Sequence, residues 1–392
     1  MRRDEFLKKM TLAGAGMYLL PSLFTACSKE EITKNFDGKV IIVGGGAAGM
    51  FAAYTLAHFG VEFELLEANS VLGGRVKKSS DFADFPIDIG AEWIHGSIDL
   101  PSSLLKYGDQ SGSIDILPYN PENIHLASDG SVTEVNIGQN VYAENKFSKT
   151  TWFDFFEDFV MPSINSNVSL NKVVNAIDYG GETITVSCED GTIFTGEKVI
   201  ITIPVKQMQN EAIAFTPSLD TNYTSAFNSM PMPDGIKMFV EFSEDFYPDI
   251  LLNNGFEGAT EKTYYDIAFK KESTKNIFGL FSVGEPSSEF TSLPDDDARI
   301  AKMINELDEL YNGKASETYV KHLIQNWSAE PFIGGSYSFY DNGFYDLQTI
   351  LREPISNKLY FAGEALSIQN SSTVHGAAEN GTEVAENIIK GG

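Results

Sequence analysis

Three glycines set the first constraint on the chemistry of this chain. Residues 39–60 read KVIIVGGGAAGMFAAYTLAHFG, in which Gly44, Gly46 and Gly49 form a GxGxxG pattern with Ala48 inside it. The pattern joins an apolar run to a stretch with Ala and Leu at helical spacing, the context a dinucleotide site requires. The first glycine permits a tight turn, the second lets backbone N–H groups approach a pyrophosphate, and the third lets helix and strand pack closely. The helix N-terminus favours the negative charge held there. Glu67 closes a second apolar run, with Ala68 after it. A carboxylate at that point accepts hydrogen bonds from a ribose diol and repels a 2′-phosphate, which argues against NADP. Gly73, Gly74 and Arg75 follow, and Arg75 offers a planar, permanently charged donor for a second phosphate.

The elements that must position these residues read as an α/β chain. Strands are expected at 39–43 and 62–66 around a helix at 47–59, a βαβ opening with a parallel sheet. A hairpin is expected around Asp190-Gly191, and a buried strand at 198–203. Strands of a second sheet read as GIKMFVEF (235–242) and NIFGLFSV (276–283). The spacing predicts a helix over 295–311 with Ile300, Met303, Ile304 and Leu307 on one stripe, a strand at 358–361 and a last helix over 374–389. The expected fold is a Rossmann-like dinucleotide-binding domain with a parallel sheet, discontinuous over 38–100, 166–210 and 355–392. A mixed-sheet substrate domain with helices takes 101–165 and 211–354, and a polar tether takes 28–37.

The motifs together resemble the flavin-containing amine oxidase family: monoamine oxidases, polyamine oxidases and the lysine-specific histone demethylases. The segments that carry the resemblance are Glu67-Ala68 with Gly73-Gly74-Arg75, DIGAEWIHG (88–96), VNAI (174–177), VIITIP (199–204), WSAEPFIGGSY (327–337), FAGE (361–364) and TVHGA (373–377). The resemblance covers most of 38–392. It implies noncovalent FAD, because Ser336 stands where monoamine oxidases carry the cysteine that binds the flavin. It places Gly90, Ala91, Glu92 and Trp93 along the flavin ring, Val174 at the adenine, Trp327 under the flavin, Gly363 and Glu364 at the ribityl and pyrophosphate region, and Thr373 and Val374 at the flavin end. Lys237 is similar to the lysine that holds a water near flavin N5. Tyr337 matches one ring of the family's aromatic cage, and Thr373 stands at the other cage position. His95 is a candidate to bond the substrate amine or accept its proton, and His375 a structural residue.

The implied reaction oxidises a primary or secondary amine, with polyamines as one option. Hydride passes to flavin N5, the imine hydrolyses, and O2 reoxidises the flavin to give hydrogen peroxide. Two alternatives stay open: an L-amino-acid oxidase or desaturase on the same scaffold, and a flavin-binding lipoprotein without turnover. An amino-acid oxidase needs a carboxylate clamp, for which Arg352 is the sole candidate, Arg299 being expected on an exposed helix. Only 80 residues, 94–173, separate Trp93 from Val174, where the family carries a longer helical insert.

Composition bounds the partners. A formal net charge of −27 over 392 residues argues against nucleic acid, which needs a basic face. It is compatible with cationic substrates. No metal-ligand set is read. Arg2, Arg3, Lys8 and Lys9 precede a short apolar stretch that ends LFTAC at Cys27, the pattern of a twin-arginine-like export signal with a lipoprotein cleavage box. The expectation is an exported bacterial protein, periplasmic or facing outward, attached to the membrane only by a lipid on Cys27. Oligomeric state is not legible.

Overall fold

The computed structural model describes residues 32–108, 112–128, 130–135, 144–253, 261–339 and 343–392; the signal pattern and Cys27 lie outside them. The Lys39–Val43 strand sits near the middle of a five-stranded sheet. Its parallel neighbours are Glu62–Leu66 on one side and Lys198–Ile201 on the other, flanked by Val168–Ser169 and Leu359–Phe361. Both faces of that strand are covered, as its unbroken Val/Ile content demands. Val40 and Ile42 pack with the helix Ala47–His58 and the C-terminal helix Val374–Ile389. Ile41 and Val43 pack with Phe227, Leu351 and Phe361 on the other face. Each such side chain contributes roughly 1.5–3 kcal/mol by leaving water.

Two glycines let these layers close. A Cβ on Gly49 would lie 1.9 Å from the Gly44 carbonyl oxygen, and one on Gly381 would lie 2.1 Å from that of Ala48. Gly49 therefore sets how closely helix meets strand, and Gly381 how closely the two helices meet each other.

A second sheet has seven strands, in the order Tyr319–Asn326, Gly235–Phe242, Asn276–Val283, Glu261–Asp266, Ile250–Asn253, Ile124–Ser128 and Ser131–Glu134. Gly235–Phe242 is buried along its whole length. Ile236, Met238 and Val240 face the helices Glu285–Thr291 and Asp296–Tyr311, whose Ile300, Met303 and Leu307 form the expected stripe. The alternate residues, Lys237 and Phe239, point the other way. Antiparallel register sets Lys237 opposite Phe281, Phe281 opposite Thr263, and Glu261 opposite Val283. These side chains form one face, and that face turns toward the first sheet.

Several boundaries differ from the sequence reading. Residues 32–37 do not form a free tether: Asn35 bonds the Ile389 and Lys390 carbonyls, and Ile32 and Phe36 pack on the core. Ala214–Thr216 joins the four-stranded sheet of 174–196, and Thr221–Ser229 and Phe344–Arg352 pack against the first half rather than the second. The 101–165 segment divides. Its strands Ile124–Ser128 and Ser131–Glu134 extend the second sheet, whereas Trp152, Phe155 and Phe156 pack against the first helix. Thr151 and Asp154 cap the Trp152–Phe159 helix reciprocally, each satisfying a backbone N–H the helix start leaves open. Among the described residues no helix is long and apolar enough to cross a membrane.

Candidate active site

A cavity of about 790 Å³ runs between the two sheets. At one end the helix Ala47–His58 begins at Gly46 without a side-chain cap. Its first residues, Ala47 and Ala48, are buried and line the cavity. Uncapped N–H groups at a buried helix start call for an anion, and the helix dipole favours one. A Cβ on Gly46 would meet nothing within 4 Å, so space lies open in front of these donors. Arg75 lines the same wall. Its Nη1 donates to Glu364 Oε1 and to the Ser336 carbonyl, both at 2.9 Å, so the guanidinium is held in place with further N–H donors to spare. Glu67 Oε2 accepts from Gly45 N at 2.7 Å and Oε1 from Asn69 N at 2.8 Å. Burial raises the Glu67 carboxyl, opposed by these two N–H groups. Donors for a pyrophosphate and an acceptor for a ribose diol thus stand in one cavity, and the residues fit a dinucleotide such as FAD.

Gly90, Ala91, Glu92 and Trp93 form a middle wall. Lys237 Nζ donates to the Asp88 carbonyl at 2.9 Å, the Gly90 carbonyl at 3.1 Å and Glu92 Oε2 at 2.9 Å. All three ammonium protons are committed to this segment, so Lys237 anchors the wall directly. Tyr265 Oη also donates to Glu92 Oε2, at 2.6 Å. Lys146 Nζ lies 2.7 Å from the other oxygen, Oε1. Burial alone would raise Glu92; the Lys146 and Lys237 ammonium groups outweigh it and hold the carboxyl well below its ordinary range. Burial, reinforced by Glu92, keeps the nearby Asp88 carboxyl well above its own. Trp327 closes the wall, with Nε1 on the Ile89 carbonyl at 3.2 Å.

The far end is aromatic and acidic. Phe281 and Tyr337 stand nearly parallel, 6.5 Å between ring centroids and 15° between planes. Burial, then Glu261 and Glu364, push the Tyr337 hydroxyl well up, so it stays neutral. Glu261 lines this end, half-buried; burial pushes its carboxyl up to about 7, against the Thr263 hydrogen bond and the nearby His95. His95 Nδ1 lies 3.0 Å from Glu144. Thr373 caps the C-terminal helix: its Oγ1 accepts from Gly376 N at 2.9 Å and donates to the Asn370 carbonyl at 2.7 Å. His375 follows it, buried, with Nδ1 unpartnered and the ring pushed down to about 4 by burial and by His95.

The sequence profile of the flavin containing amine oxidoreductases matches residues 162–389. The chain belongs to this flavin-containing amine oxidoreductase family. Its cofactor is FAD, and an NAD(P)-binding Rossmann-like domain profile matches residues 42–104. Among curated proteins, the chain is 26% identical to lysine-specific histone demethylase 2 of Homo sapiens over 96% of its own length, and spans 55% of that protein. It is 24% identical to polyamine oxidase 1 of Zea mays, covering 95% of both chains. Among solved structures it resembles a wild-type putrescine oxidase bound to putrescine, with a TM-score of 0.76 at 15% identity over 90% of this chain and 99% of that one. Cyclohexylamine oxidase from Brevibacterium oxydans gives a TM-score of 0.74 at 16% identity over 91% and 99%. These last two likenesses speak for the fold.

In this member of the family the cavity gathers Gly44, Gly46, Ala48, Glu67, Ala68, Gly74, Arg75, Gly90, Ala91, Glu92, Trp93, Val174, Trp327, Gly363, Glu364, Thr373 and Val374, together with His95, Lys237 and Tyr337. Gly49 stands outside it, between helix and strand. Two of these side chains are also bonded within the protein. Glu364 faces Arg75 and Ser338, with Ser338 N and Oγ on its two oxygens and Ser372 N beside them; it fixes Arg75, and its lone pairs are largely used. The ring parallel to Tyr337 is Phe281, while the Thr373 hydroxyl is spent on the helix cap. Sequence reasoning missed Phe281, Glu261, Glu144 and Lys146. For the first two a signal existed: register with Lys237 across neighbouring strands puts Phe281 and Thr263 on its face, and period 2 then adds Glu261.

Arg299 is mostly buried, not exposed, and bonds Asp296 and the carbonyls of Phe290 and Leu293. Arg352 bonds the Leu366 carbonyl and Glu383. Among the described residues Arg75 is the only arginine lining the cavity, and Glu364 already holds it.

Proposed function

We propose that this chain oxidises a small cationic amine, a diamine or polyamine, with FAD held noncovalently. The observation that carries the reading is the single cavity that joins an anion-binding helix start to an aromatic chamber edged by carboxylates. Phe281 and Tyr337 offer ring faces that attract an ammonium. Glu261 and Glu144 offer it charge, and neither is matched by a free arginine that would seat a substrate carboxylate. FAD held by the bare helix start and Arg75 would supply the two-electron acceptor for oxidation of the C–N bond, with O2 as the final acceptor. His95, paired with Glu144, takes the proton an ammonium must lose before it reacts. Lys237 holds the wall at Asp88–Glu92 in a fixed position. Ser336 donates its hydroxyl to the Pro233 carbonyl at 2.9 Å and cannot form a thioether, and Cys188 is buried in a strand that does not line the cavity.

Purified protein tests this directly. It should be yellow, release all its flavin on acid denaturation, and generate peroxide with diamines or polyamines ahead of amino acids. Flavin retained by the denatured chain would refute the noncovalent assignment. A yellow protein that makes peroxide from no amine would favour a flavin-holding lipoprotein instead.

A further inference from the structure

The compact insert between Trp93 and Val174 carries a buried cation with an unusual seat. Lys146 lies on the strand Glu144–Phe147, opposite Leu117 of Ile116–Tyr119, and is 2% exposed. Its Nζ sits 4.0 Å from the ring centroid of Trp93, 4.2 Å from that of Tyr119 and 4.7 Å from that of Tyr265. Glu92 Oε1, at 2.7 Å, is its ion-pair partner, and among the described residues no oxygen meets it in hydrogen-bonding geometry. Three ring faces and one carboxylate make a cage for an ammonium, here filled from within the chain. Burial draws the Lys146 ammonium down to about 8, Glu92 opposing, so it is mostly charged at neutral pH.

The charges around the cage do not cancel. Glu92 carries one negative charge and faces two ammonium groups, Lys146 and Lys237. Burial, reinforced by Glu92, holds the carboxyl of Asp88, the other nearby acid, well above its ordinary range. Lys271 and Asp266 stand further out, the first drawn down and the second pushed up to about 6, both by burial. Among the described residues, Tyr119 and Tyr265 are the other titratable groups against Lys146, and burial keeps Tyr265 neutral. Glu92, Trp93, Tyr265 and Lys237 all line the cavity, whereas Lys146 stands behind them. The same carboxylate ties the two lysines together, so Lys146 bears on the cavity through Glu92.

We propose that Lys146 is a positioning residue that sets the charge of the cavity wall: by neutralising Glu92 it leaves the Lys237 ammonium uncompensated, and the wall then favours the reduced, anionic state of the bound flavin. The inference rests on flavin occupying this cavity but not on amine turnover. A unit charge in a low-dielectric wall acts over the dimensions of the site, and the insert supplies it without widening the cavity.

The test is the equilibrium between bound flavin and a reference redox dye, read by absorbance in anaerobic holoenzyme. Lys146→Met fills the cage with an apolar side chain and should shift that equilibrium at least ~10-fold against flavin reduction. Glu92→Gln, which leaves two ammonium groups unopposed, should shift it the opposite way. The double variant restores the net charge and should return it to within ~3-fold of wild type. Lys146→Arg keeps the cation and should stay near wild type. In the apoprotein, amide exchange over residues 88–92 should quicken in Lys146→Met, because Glu92 loses one of its three holders, Lys237 and Tyr265 remaining. Wild-type dye equilibria in Lys146→Met, or shifts of the same sign in Lys146→Met and Glu92→Gln, overturn the proposal. Should Lys146→Met not fold, the sign and size of the Glu92→Gln shift decide alone. A colourless wild-type protein would indict the flavin assignment instead.

Discussion

Glu261→Gln gives the sharpest test of how this site would read its substrate. The carboxyl lines the chamber beyond Tyr337, and burial pushes it up to about 7. An ammonium group reaching it would make a charge-assisted hydrogen bond, worth roughly 1.5–3 kcal/mol. Glutamine keeps the shape and loses the charge, so KM for a diamine should rise about 10- to 150-fold. A monoamine of equal chain length has no second cation and should be unaffected, as should kcat for both. The pH dependence has a definite sign. A carboxyl with its midpoint near 7 is about one-tenth ionised at pH 6 and nine-tenths at pH 8, so wild-type KM for the diamine should fall about 9-fold over that span. Glu261→Gln should flatten this slope. Stability moves the other way: the folded carboxyl holds its proton more firmly than the unfolded one. Its contribution is fully present below the ordinary carboxylate range and is lost as pH rises through about 7. Melting temperatures of wild type and Glu261→Gln should therefore draw apart between pH 5 and 8. Steady-state kinetics with a matched diamine and monoamine supply the assay. Equal losses on both substrates, or a loss in kcat alone, would refute the placement of a second ammonium at Glu261.

Two further changes probe the ends of the cavity. Gly49→Ala sets a methyl group 1.9 Å from the Gly44 carbonyl oxygen; it should lower the melting temperature by several degrees and abolish flavin retention on a desalting column, and an unchanged melt would mean helix and strand can part without cost. Lys237→Met frees the Asp88 and Gly90 carbonyls and one side of Glu92; stopped-flow traces should show flavin reduction or reoxidation slowed by at least ~10-fold with FAD still bound, and wild-type traces would remove Lys237 from the reaction.

What could be read from the chain and what could not divides along a physical line. Features encoded by neighbouring residues were legible. The glycine turn, the βαβ opening and the stripe on Asp296–Tyr311 depend on local spacing, because turn geometry and the 2.0 and 3.6 periods act over a few residues. The boundary of the second half was not legible, since Ala214–Thr216 and Phe344–Arg352 look like generic strand and helix until the sheets they join are known. The fate of polar side chains was decided later still. Thr373 reads from the sequence as a cage position, and only the hydrogen bond from Gly376 N shows that its hydroxyl is spent on the helix cap. The cage around Lys146 draws on Glu92, Trp93, Tyr119 and Tyr265 from separate stretches of the chain. Nothing in the period or composition of ENKF marks its lysine as buried. By itself the sequence determined that a dinucleotide would lie on a bare helix start. Tertiary structure alone decided which charges would face it, because a buried ammonium is stable only where distant segments converge to compensate it.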